Sequence, residues 1–261
     1  MAQFPNLKIV VYHGTGFDNI DLQACKERNI IVTNTPGQNS LSVAEHVLAL
    51  MLGLARWVPA TASLYREKGY DSKTFPYVKH PFHISELSGK TLGLIGSGNI
   101  AILLANMVRL GFGMRVIAYD PYLKSAPEGI ELTDDRMRVF KEGDYISLHI
   151  PLTNETKHSV STKEFNAMKP TARLINCARG AIVNEEALIT ALKNNVIAGA
   201  GIDCSDPEPA EQDNPLFSMP NVIVTPHLAG SSDEALIRVG LMCVECVEDA
   251  LAGREPKNRV V

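Results

Sequence analysis

Three polar side chains in the C-terminal half of the chain, Arg179, Glu208 and His227, are of the types that assist a proton-coupled transfer at a carbonyl carbon. A guanidinium binds a carboxylate through a bidentate fork and polarises a neighbouring carbonyl. An imidazole exchanges a proton near neutral pH, and a carboxylate beside it orients the ring and favours its charged form. Together these groups are what hydride transfer to or from a 2-oxo acid requires. Each one alone also has an ordinary explanation, as a surface arginine, an acid of a solvated loop and a structural histidine.

A glycine-rich turn follows the apolar run 91–95 and matches the pattern Gly-x-Gly-x-x-Ala over residues 96–101. Gly96 allows the tight turn, Gly98 lets the backbone approach a pyrophosphate, and the N-terminus of the following helix stabilises the phosphate charge. Asp120 lies 24 residues after Gly96, where a carboxylate accepts hydrogen bonds from the ribose hydroxyls and repels a 2′-phosphate. The pattern predicts a dinucleotide site that prefers NAD over NADP. The alternative is a set of ordinary turn glycines.

The elements that must position these residues alternate between short β-branched runs and helical stretches, which is typical of an α/β protein with a parallel sheet. From residue 91 onward the pattern predicts six strands with helices between most of them, at 91–95, 115–119, 145–150, 173–177, 197–202 and 222–225. Six such strands make one complete doubly wound domain, whose ligands bind at the carboxyl ends of the strands. Arg179, Asp203 and His227 follow the predicted fourth, fifth and sixth strands and should therefore converge at one edge.

The residues before 91 predict two further strands, at 8–12 and 30–33, and a long helix at 42–56. Another helix is expected at 232–251, and a polar, Pro-containing stretch at 79–89 marks a domain boundary. The helix at 42–56 is apolar over more than one stripe, and such helices are usually buried between layers or in a subunit interface. We therefore expect a homodimer.

Composition narrows the classes of partner. The 261 residues carry 25 Lys and Arg against 29 Asp and Glu, a net charge of −4, so no nucleic acid or anionic membrane is expected as a partner. The longest apolar stretch, 47–55, is far short of the ~20 residues that a membrane span needs, and the N-terminus has no signal-peptide pattern. Five irregularly spaced cysteines make neither a disulfide framework nor a metal site. A cytoplasmic location is the expectation.

The chain resembles the D-isomer-specific 2-hydroxyacid dehydrogenases, the family that includes D-3-phosphoglycerate dehydrogenase and hydroxypyruvate reductase. The resemblance runs from Leu7 to the C-terminus, and the stretches that carry it are 14–21, 89–96, 149–153, 176–180, 206–209 and 220–227. The stretches at 111–114 and 119–122 look most like the phosphoglycerate dehydrogenase branch. The resemblance implies a Rossmann NAD-binding domain at 83–227, inserted in a smaller flavodoxin-like substrate domain made of 1–82 and 228–261.

The resemblance also implies roles for single residues. Arg179 would bind the substrate carboxylate and carbonyl, His227 would be the acid/base, and Glu208 would support it. The backbone amides around Gly14, Thr15 and Gly16 would bind the other side of the substrate carboxylate. Asp203 would hold the nicotinamide carboxamide, and the implied cofactor contacts as a set are Gly96, Ser97, Gly98, Asn99, Ile100, Asp120, His149, Pro151, Cys177, Ala178, Asp203 and His227.

Two features depart from the family pattern. Ala101 replaces the commoner third glycine of the turn. Alanine is small enough for the helix to pack against the strand. The chain opens almost directly on the strand at 8–12, whereas family members first run through several βα units. At ~30 residues for each βαβ unit, roughly 60 residues of the substrate domain would be absent. Two functions stay open at this point: an NAD-dependent oxidoreductase that interconverts a small D-2-hydroxy acid and its 2-oxo acid, and a catalytically silent NAD-binding protein, silent by truncation or as a redox-sensing interaction module.

Overall fold

The computed structural model describes residues 4–69 and 84–261. Its strands are β1 (Ile9–Val11), β2 (Ile31–Thr33), β3 (Thr91–Ile95), β4 (Arg115–Tyr119), β5 (Glu131–Thr133), β6 (Tyr145–Leu148), β7 (Arg173–Asn176), β8 (Gly199–Ile202) and β9 (Val222–Val224). Its helices are α1 (Leu22–Glu27), α2 (Ser40–Arg56), α3 (Val58–Lys68), α4 (Asn99–Phe112), α5 (Arg136–Glu142), α6 (Thr162–Ala167), α7 (Glu185–Lys193) and α8 (Asp233–Leu251). Short 3₁₀ turns lie at Gly180–Ile182 and Pro215–Ser218.

Seven parallel strands form the main sheet, in the order β5-β4-β3-β6-β7-β8-β9. The doubly wound α/β architecture is therefore confirmed, but the expected number of six strands is wrong by one. The strand that the sequence analysis missed is β5, a three-residue edge strand with every residue only partly buried. Because of it, the predicted fourth, fifth and sixth strands are the fifth, sixth and seventh of the sheet. Chain order reverses between β3 and β6, and that reversal is where ligands of such sheets bind.

The central strands are buried along their whole length, because helices cover both faces of the sheet. Every residue of β6, β7 and β8 is buried, which is why these strands read as continuous apolar runs and not as alternating patterns. The core around them joins side chains from α5, α6 and α7, among them Phe140, Phe165 and Leu188. This rigid sheet fixes the positions of the loops that follow its carboxyl ends.

The chain separates into two compact units, residues 1–43 with 230–261 and residues 44–229. The smaller unit holds the parallel pair β1 and β2, with α8 packed on β1. Its C-terminal residues add to this pair, since the amide of Val260 donates to the carbonyl of Val32 at 2.7 Å. The predicted boundary between residues 82 and 83 lies outside the described residues, and the predicted division at 227 and 228 stays a prediction.

The apolar side chains of helix α2 are explained by its packing on β8 in the larger unit. Leu54 and Leu50 lie over Gly199 and Gly201 of β8, where an added Cβ would meet Leu54 Cδ2 at 3.5 Å and Leu50 Cβ at 3.1 Å. Helix α3, which the sequence analysis did not predict, follows after Trp57. Among the described residues no single helix is long and apolar enough to cross a membrane, and only α2 and α3 taken together, meeting at 60°, reach that length and composition.

Candidate active site

Asp203 follows β8 and is buried in a shell of hydrogen-bond donors. Its Oδ1 accepts hydrogen bonds from Thr225 Oγ1 at 2.5 Å and from the amide of Leu228 at 2.9 Å. Its Oδ2 accepts one from the amide of Ala229 at 2.9 Å. All three donors belong to the turn that follows β9. The Asp203 carboxylate therefore fixes the backbone of residues 225–229, which carries His227.

His227 has a left-handed backbone, with φ 53°, and its amide donates to the carbonyls of Asp203 at 2.8 Å and Thr225 at 3.0 Å. Its Nδ1 lies 2.5 Å from Glu208 Oε1. The structure thus brings together the imidazole and the carboxylate that the sequence analysis placed in one site. Both side chains are more than 40% exposed, so their electrostatic coupling is screened by water and is weaker than that of a buried pair.

Arg179 lies in the loop after β7, and Asn176 shapes that loop. The Asn176 side chain accepts a hydrogen bond from the amide of Ala178 at 3.1 Å and donates one to the carbonyl of Arg179 at 2.9 Å. The guanidinium donates to the carbonyl of Ala178 at 2.7 Å. A Cβ added at Gly180 would overlap the carbonyl of Ser205. The loop of Arg179 and the loop after β8 are therefore in direct contact, at the edge where His227 also lies.

The glycine-rich turn joins β3 to α4. Gly96 has φ 92°, and a Cβ there would meet the carbonyl oxygen of His149 at 2.5 Å, so only glycine fits this close approach to the end of β6. The Asp120 carboxylate is held in place by the amides of Ser97 at 2.9 Å and Tyr122 at 3.0 Å. Nothing lies within 4 Å of a Cβ added at Gly98, so the space above the turn is open.

Three further side chains predicted at the cofactor site or next to it are kept uncharged by burial. Desolvation lowers the pKa of His149 to about 4, and its Nε2 lies 2.9 Å from Ser147 Oγ. Burial raises the pKa of the Cys177 thiol well above its usual range, with the charge of Asp203 as a second cause. Burial likewise raises the pKa of Cys204 to about 12. Neither thiol is a nucleophile at neutral pH, since only the thiolate is reactive.

The predicted substrate loop at Gly14, Thr15 and Gly16 belongs to the smaller unit. The amide of Gly14 already donates to Thr35 Oγ1 at 2.9 Å and to the carbonyl of Tyr12 at 3.0 Å. The carbonyl of Thr15 accepts a hydrogen bond from Asn34 Nδ2 at 2.8 Å. The loop is therefore held from below by the residues after β2, and the amides of Thr15 and Gly16 are better candidates for a ligand than that of Gly14.

A family model described as the NAD binding domain of D-isomer specific 2-hydroxyacid dehydrogenases matches residues 48–229. The chain belongs to this dehydrogenase family. The match covers almost all of the larger unit, including the glycine-rich turn and the three residues Arg179, Glu208 and His227. The resemblance that the sequence motifs carried is confirmed.

Relatives within the family are similar over nearly the whole chain. The D-3-phosphoglycerate dehydrogenase of Methanocaldococcus jannaschii is 42% identical over 258 residues, which are 97% of this chain and 47% of that protein. The hydroxypyruvate reductase of Thermotoga maritima is 42% identical over 92% of this chain and 76% of its own. The solved TT0316 protein from Thermus thermophilus is 38% identical, with a TM-score of 0.90 over 100% of this chain and 81% of that one. The chain spans about half the length of the phosphoglycerate dehydrogenases that it matches.

NAD is the cofactor of this dehydrogenase domain, and the described residues fit it. The first turn of α4 has no side-chain cap, so its amides have unused capacity for a phosphate. The Ser97 hydroxyl in the same turn is buried with no hydrogen-bond partner among the described residues, and such a group is costly unless a ligand satisfies it. These groups would hold the pyrophosphate, and Asp120 the adenosine ribose.

One further polar residue lies at this edge and was not predicted from the sequence. His46 Nε2 lies 3.0 Å from Thr225 Oγ1 and 3.5 Å from Asp203 Oδ1. It comes from α2, far from the strand ends in sequence. A usable signal was present, because His46, Leu50 and Leu54 recur every four residues while Gly199, Gly201 and Asp203 recur every two.

Proposed function

We propose that this chain performs the NAD-dependent interconversion of a small D-2-hydroxy acid and its 2-oxo acid. The observation that carries the proposal is the 2.5 Å contact between His227 Nδ1 and Glu208 Oε1, at the same sheet edge as the loop of Arg179. An acid/base imidazole oriented by a carboxylate, beside a carboxylate-binding arginine, is the set of groups that this reaction requires.

In the proposed reaction, Arg179, His227 and Glu208 have different roles. The Arg179 guanidinium binds the substrate carboxylate through two parallel hydrogen bonds and polarises the adjacent carbonyl. Because Nδ1 of His227 faces Glu208, Nε2 is the nitrogen that gives its proton to the carbonyl oxygen during reduction and takes it back during oxidation. Glu208 fixes the ring orientation and stabilises the imidazolium. Bound NAD supplies the hydride chemistry, as acceptor when oxidised and as donor when reduced.

Several predicted contacts remain part of this proposal. Asp203 would bind the nicotinamide carboxamide in addition to holding the 225–229 turn, and the cofactor contacts of His149, Pro151, Cys177 and Ala178 are kept as predicted. The amides around Gly14 to Gly16 would serve the substrate carboxylate, with Thr15 and Gly16 as the main donors.

The site is tested by NADH oxidation with glyoxylate, hydroxypyruvate, pyruvate and phosphohydroxypyruvate, followed by the loss of NADH absorbance with separate measurement of NADH binding. We expect turnover with at least one of these acids and a loss of ~10²–10⁴-fold in His227→Ala, with NADH binding kept. Binding of NADH without turnover of any acid would favour the silent NAD-binding protein instead.

The assembly and location of the protein are also part of this proposal. A homodimer and a cytoplasmic location without nucleic-acid or membrane partners stay as predicted from the sequence. Light scattering at micromolar concentration measures the mass directly, and a monomer mass of 28.4 kDa would remove the homodimer.

A further inference from the structure

His46 is aligned with Asp203 by the register in which α2 packs on β8. Four residues of an α-helix rise by about 6 Å, and two residues of a strand rise by about 6.6 Å. Leu54 over Gly199 and Leu50 over Gly201 therefore place the next member of the helix stripe, His46, over the next member of the strand face, Asp203. The contact of 3.5 Å between His46 Nε2 and Asp203 Oδ1 follows from this register.

The hydrogen-bond donors and acceptors in this cluster determine the proton on His46. The Thr225 hydroxyl has one proton, and it donates that proton to Asp203 Oδ1 at 2.5 Å. The hydroxyl oxygen can then only accept from His46 Nε2, which lies 3.0 Å away. Nε2 of His46 must therefore carry a hydrogen. This N–H adds to the donors that surround the buried Asp203 carboxylate, which holds the turn that carries His227.

The orientation of the His227 ring depends on that turn. Its side chain is 44% exposed, with one hydrogen bond to a Glu208 that is itself 41% exposed. Its left-handed backbone, at φ 53°, costs free energy and persists only when surrounding hydrogen bonds hold it. Those bonds involve Asp203 and Thr225, and His46 contacts both of these residues through its Nε2. The His46 side chain is only 22% exposed and the Asp203 side chain is 0% exposed.

We propose that His46 is a positioning residue of the site: its Nε2–H, donated to Thr225 Oγ1 beside Asp203, holds the 225–229 turn and thereby the His227 imidazole in the orientation for proton exchange. This inference rests on the proposed function. It assigns a role in catalysis to α2, a helix that none of the predicted site residues occupies.

The alternative of a metal site at this place is less well supported. Within the described ranges, ligand atoms of His46, Cys177 and Asp203 lie within 4.8 Å of one another. A metal would need the Cys177 thiol deprotonated, which burial opposes. A hydrogen-bond role for His46 requires no change in the protonation of Cys177.

The test compares His46→Gln with His46→Leu in the full chain. Glutamine keeps an N–H that can reach Thr225 Oγ1, whereas leucine fills the space without a donor. Glu45→Gln, the exposed neighbour on the same helix, is the matched control. We expect His46→Leu to lower kcat about 10- to 100-fold with less than about a 3-fold change in the KM for NADH, His46→Gln to recover most of the loss, and Glu45→Gln to match the unmodified chain.

A second readout does not depend on turnover. In nitrogen-15 NMR of the histidine rings, with His227 assigned through His227→Gln, we expect the His227 ring signals to shift and broaden in His46→Leu and to stay in place in His46→Gln. An inactive unmodified chain with this NMR result would overturn the proposed function and its catalytic role for His46, but would keep His46 as the residue that orients the His227 ring. Unchanged kcat and unchanged His227 signals in a folded His46→Leu would overturn the positioning role.

Thr225→Val covers the case in which His46→Leu does not fold. It removes the hydroxyl through which His46 acts and keeps the side-chain shape. If the proposal is right, the double variant His46→Gln/Thr225→Val has the same kcat as Thr225→Val alone. Without the Thr225 hydroxyl, neither histidine nor glutamine at position 46 has this acceptor for its N–H. A Thr225→Val variant with unchanged His227 signals and full kcat would overturn the inference.

Discussion

At the scale of single residues, the site is built from loop side chains whose backbones are fixed by other side chains. Asn176 shapes the loop of Arg179 through two hydrogen bonds, and Asp203 fixes the turn of His227 through three. The imidazole and carboxylate of the proposed proton step are exposed, while Asn176 and Asp203, which hold the loops, are buried. This division allows the reacting groups to reach a ligand without losing their geometry.

The first test at this scale is Arg179→Lys. Lysine keeps the charge but loses the planar fork, so the paired hydrogen bonds to a carboxylate cannot form. We expect kcat/KM for the 2-oxo acid to fall about 100-fold, the size of one to two charge-assisted hydrogen bonds, while the Kd for NADH stays within about 2- to 3-fold. Steady-state kinetics and NADH fluorescence titration measure the two quantities. A lysine variant with full activity would show that Arg179 does not bind the substrate carboxylate.

The second test is Glu208→Gln. Glutamine removes the negative charge that lies 2.5 Å from His227 Nδ1 but keeps a hydrogen-bond acceptor for the ring. We expect kcat/KM for reduction to fall by a modest factor, because both side chains are exposed and their coupling is screened by water, while the Kd for NADH is unchanged. Steady-state kinetics and NADH fluorescence titration measure the two quantities. A Glu208→Gln variant with full activity would show that Glu208 does not support His227.

At the scale of elements, the buried strands and the residues at their carboxyl ends could be predicted from the sequence. The edge strand and the contacts that depend on how helices pack on the sheet could not. Buried strands such as β6 and β7 are recognisable as apolar runs, and their carboxyl ends must share an edge, so Arg179 and His227 could be placed together. Strand β5 escaped because three half-buried residues at an edge carry no apolar run. His46 escaped because its place beside Asp203 follows from how α2 lies on β8, which no local pattern shows.

The packing of α2 on β8 can be tested at Gly201. An added Cβ would lie 3.1 Å from Leu50 Cβ on α2 and 3.1 Å from Ile175 Cδ1, so in Gly201→Ala these two side chains must each give by a few tenths of an ångström. We expect a loss of about 1–3 kcal/mol in the free energy of unfolding, the usual size for overpacking. Gly111→Ala is the matched control, because it lies in α4 with nothing within 4 Å and should stabilise by up to about 1 kcal/mol. Urea unfolding measures the free energy of unfolding of both variants. Equal changes in the two would mean that the packing of α2 on β8 does not require glycine at position 201.

At the scale of the whole molecule, the glycine-rich turn, the imidazole–carboxylate pair and the arginine all belong to one compact unit, residues 44–229. The family model covers residues 48–229 of this unit. The single tryptophan, Trp57, is buried in the same unit. Its fluorescence therefore reports the unfolding of the unit that holds the proposed site. Stability measured in this way gives information about the site without any substrate.

His149 makes the stability of this unit depend on pH. Its pKa is about 4 in the folded chain and ~6.5 when unfolded, so the unfolded chain takes up the proton first as the pH falls. Stability is full well above pH 6.5 and is lost as the pH falls toward 4, by an amount on the order of 1–2 kcal/mol between pH 7 and pH 4.5, because the His149 ring is only partly shielded from water. His149→Gln, which cannot be protonated, should remove that part of the acid sensitivity. Urea unfolding followed by Trp57 fluorescence at pH 7, 5.5 and 4.5, without NAD, measures the slopes. If His149→Gln and the unmodified chain lose stability in parallel, the cause of acid sensitivity lies elsewhere and His149 does not stay neutral through burial.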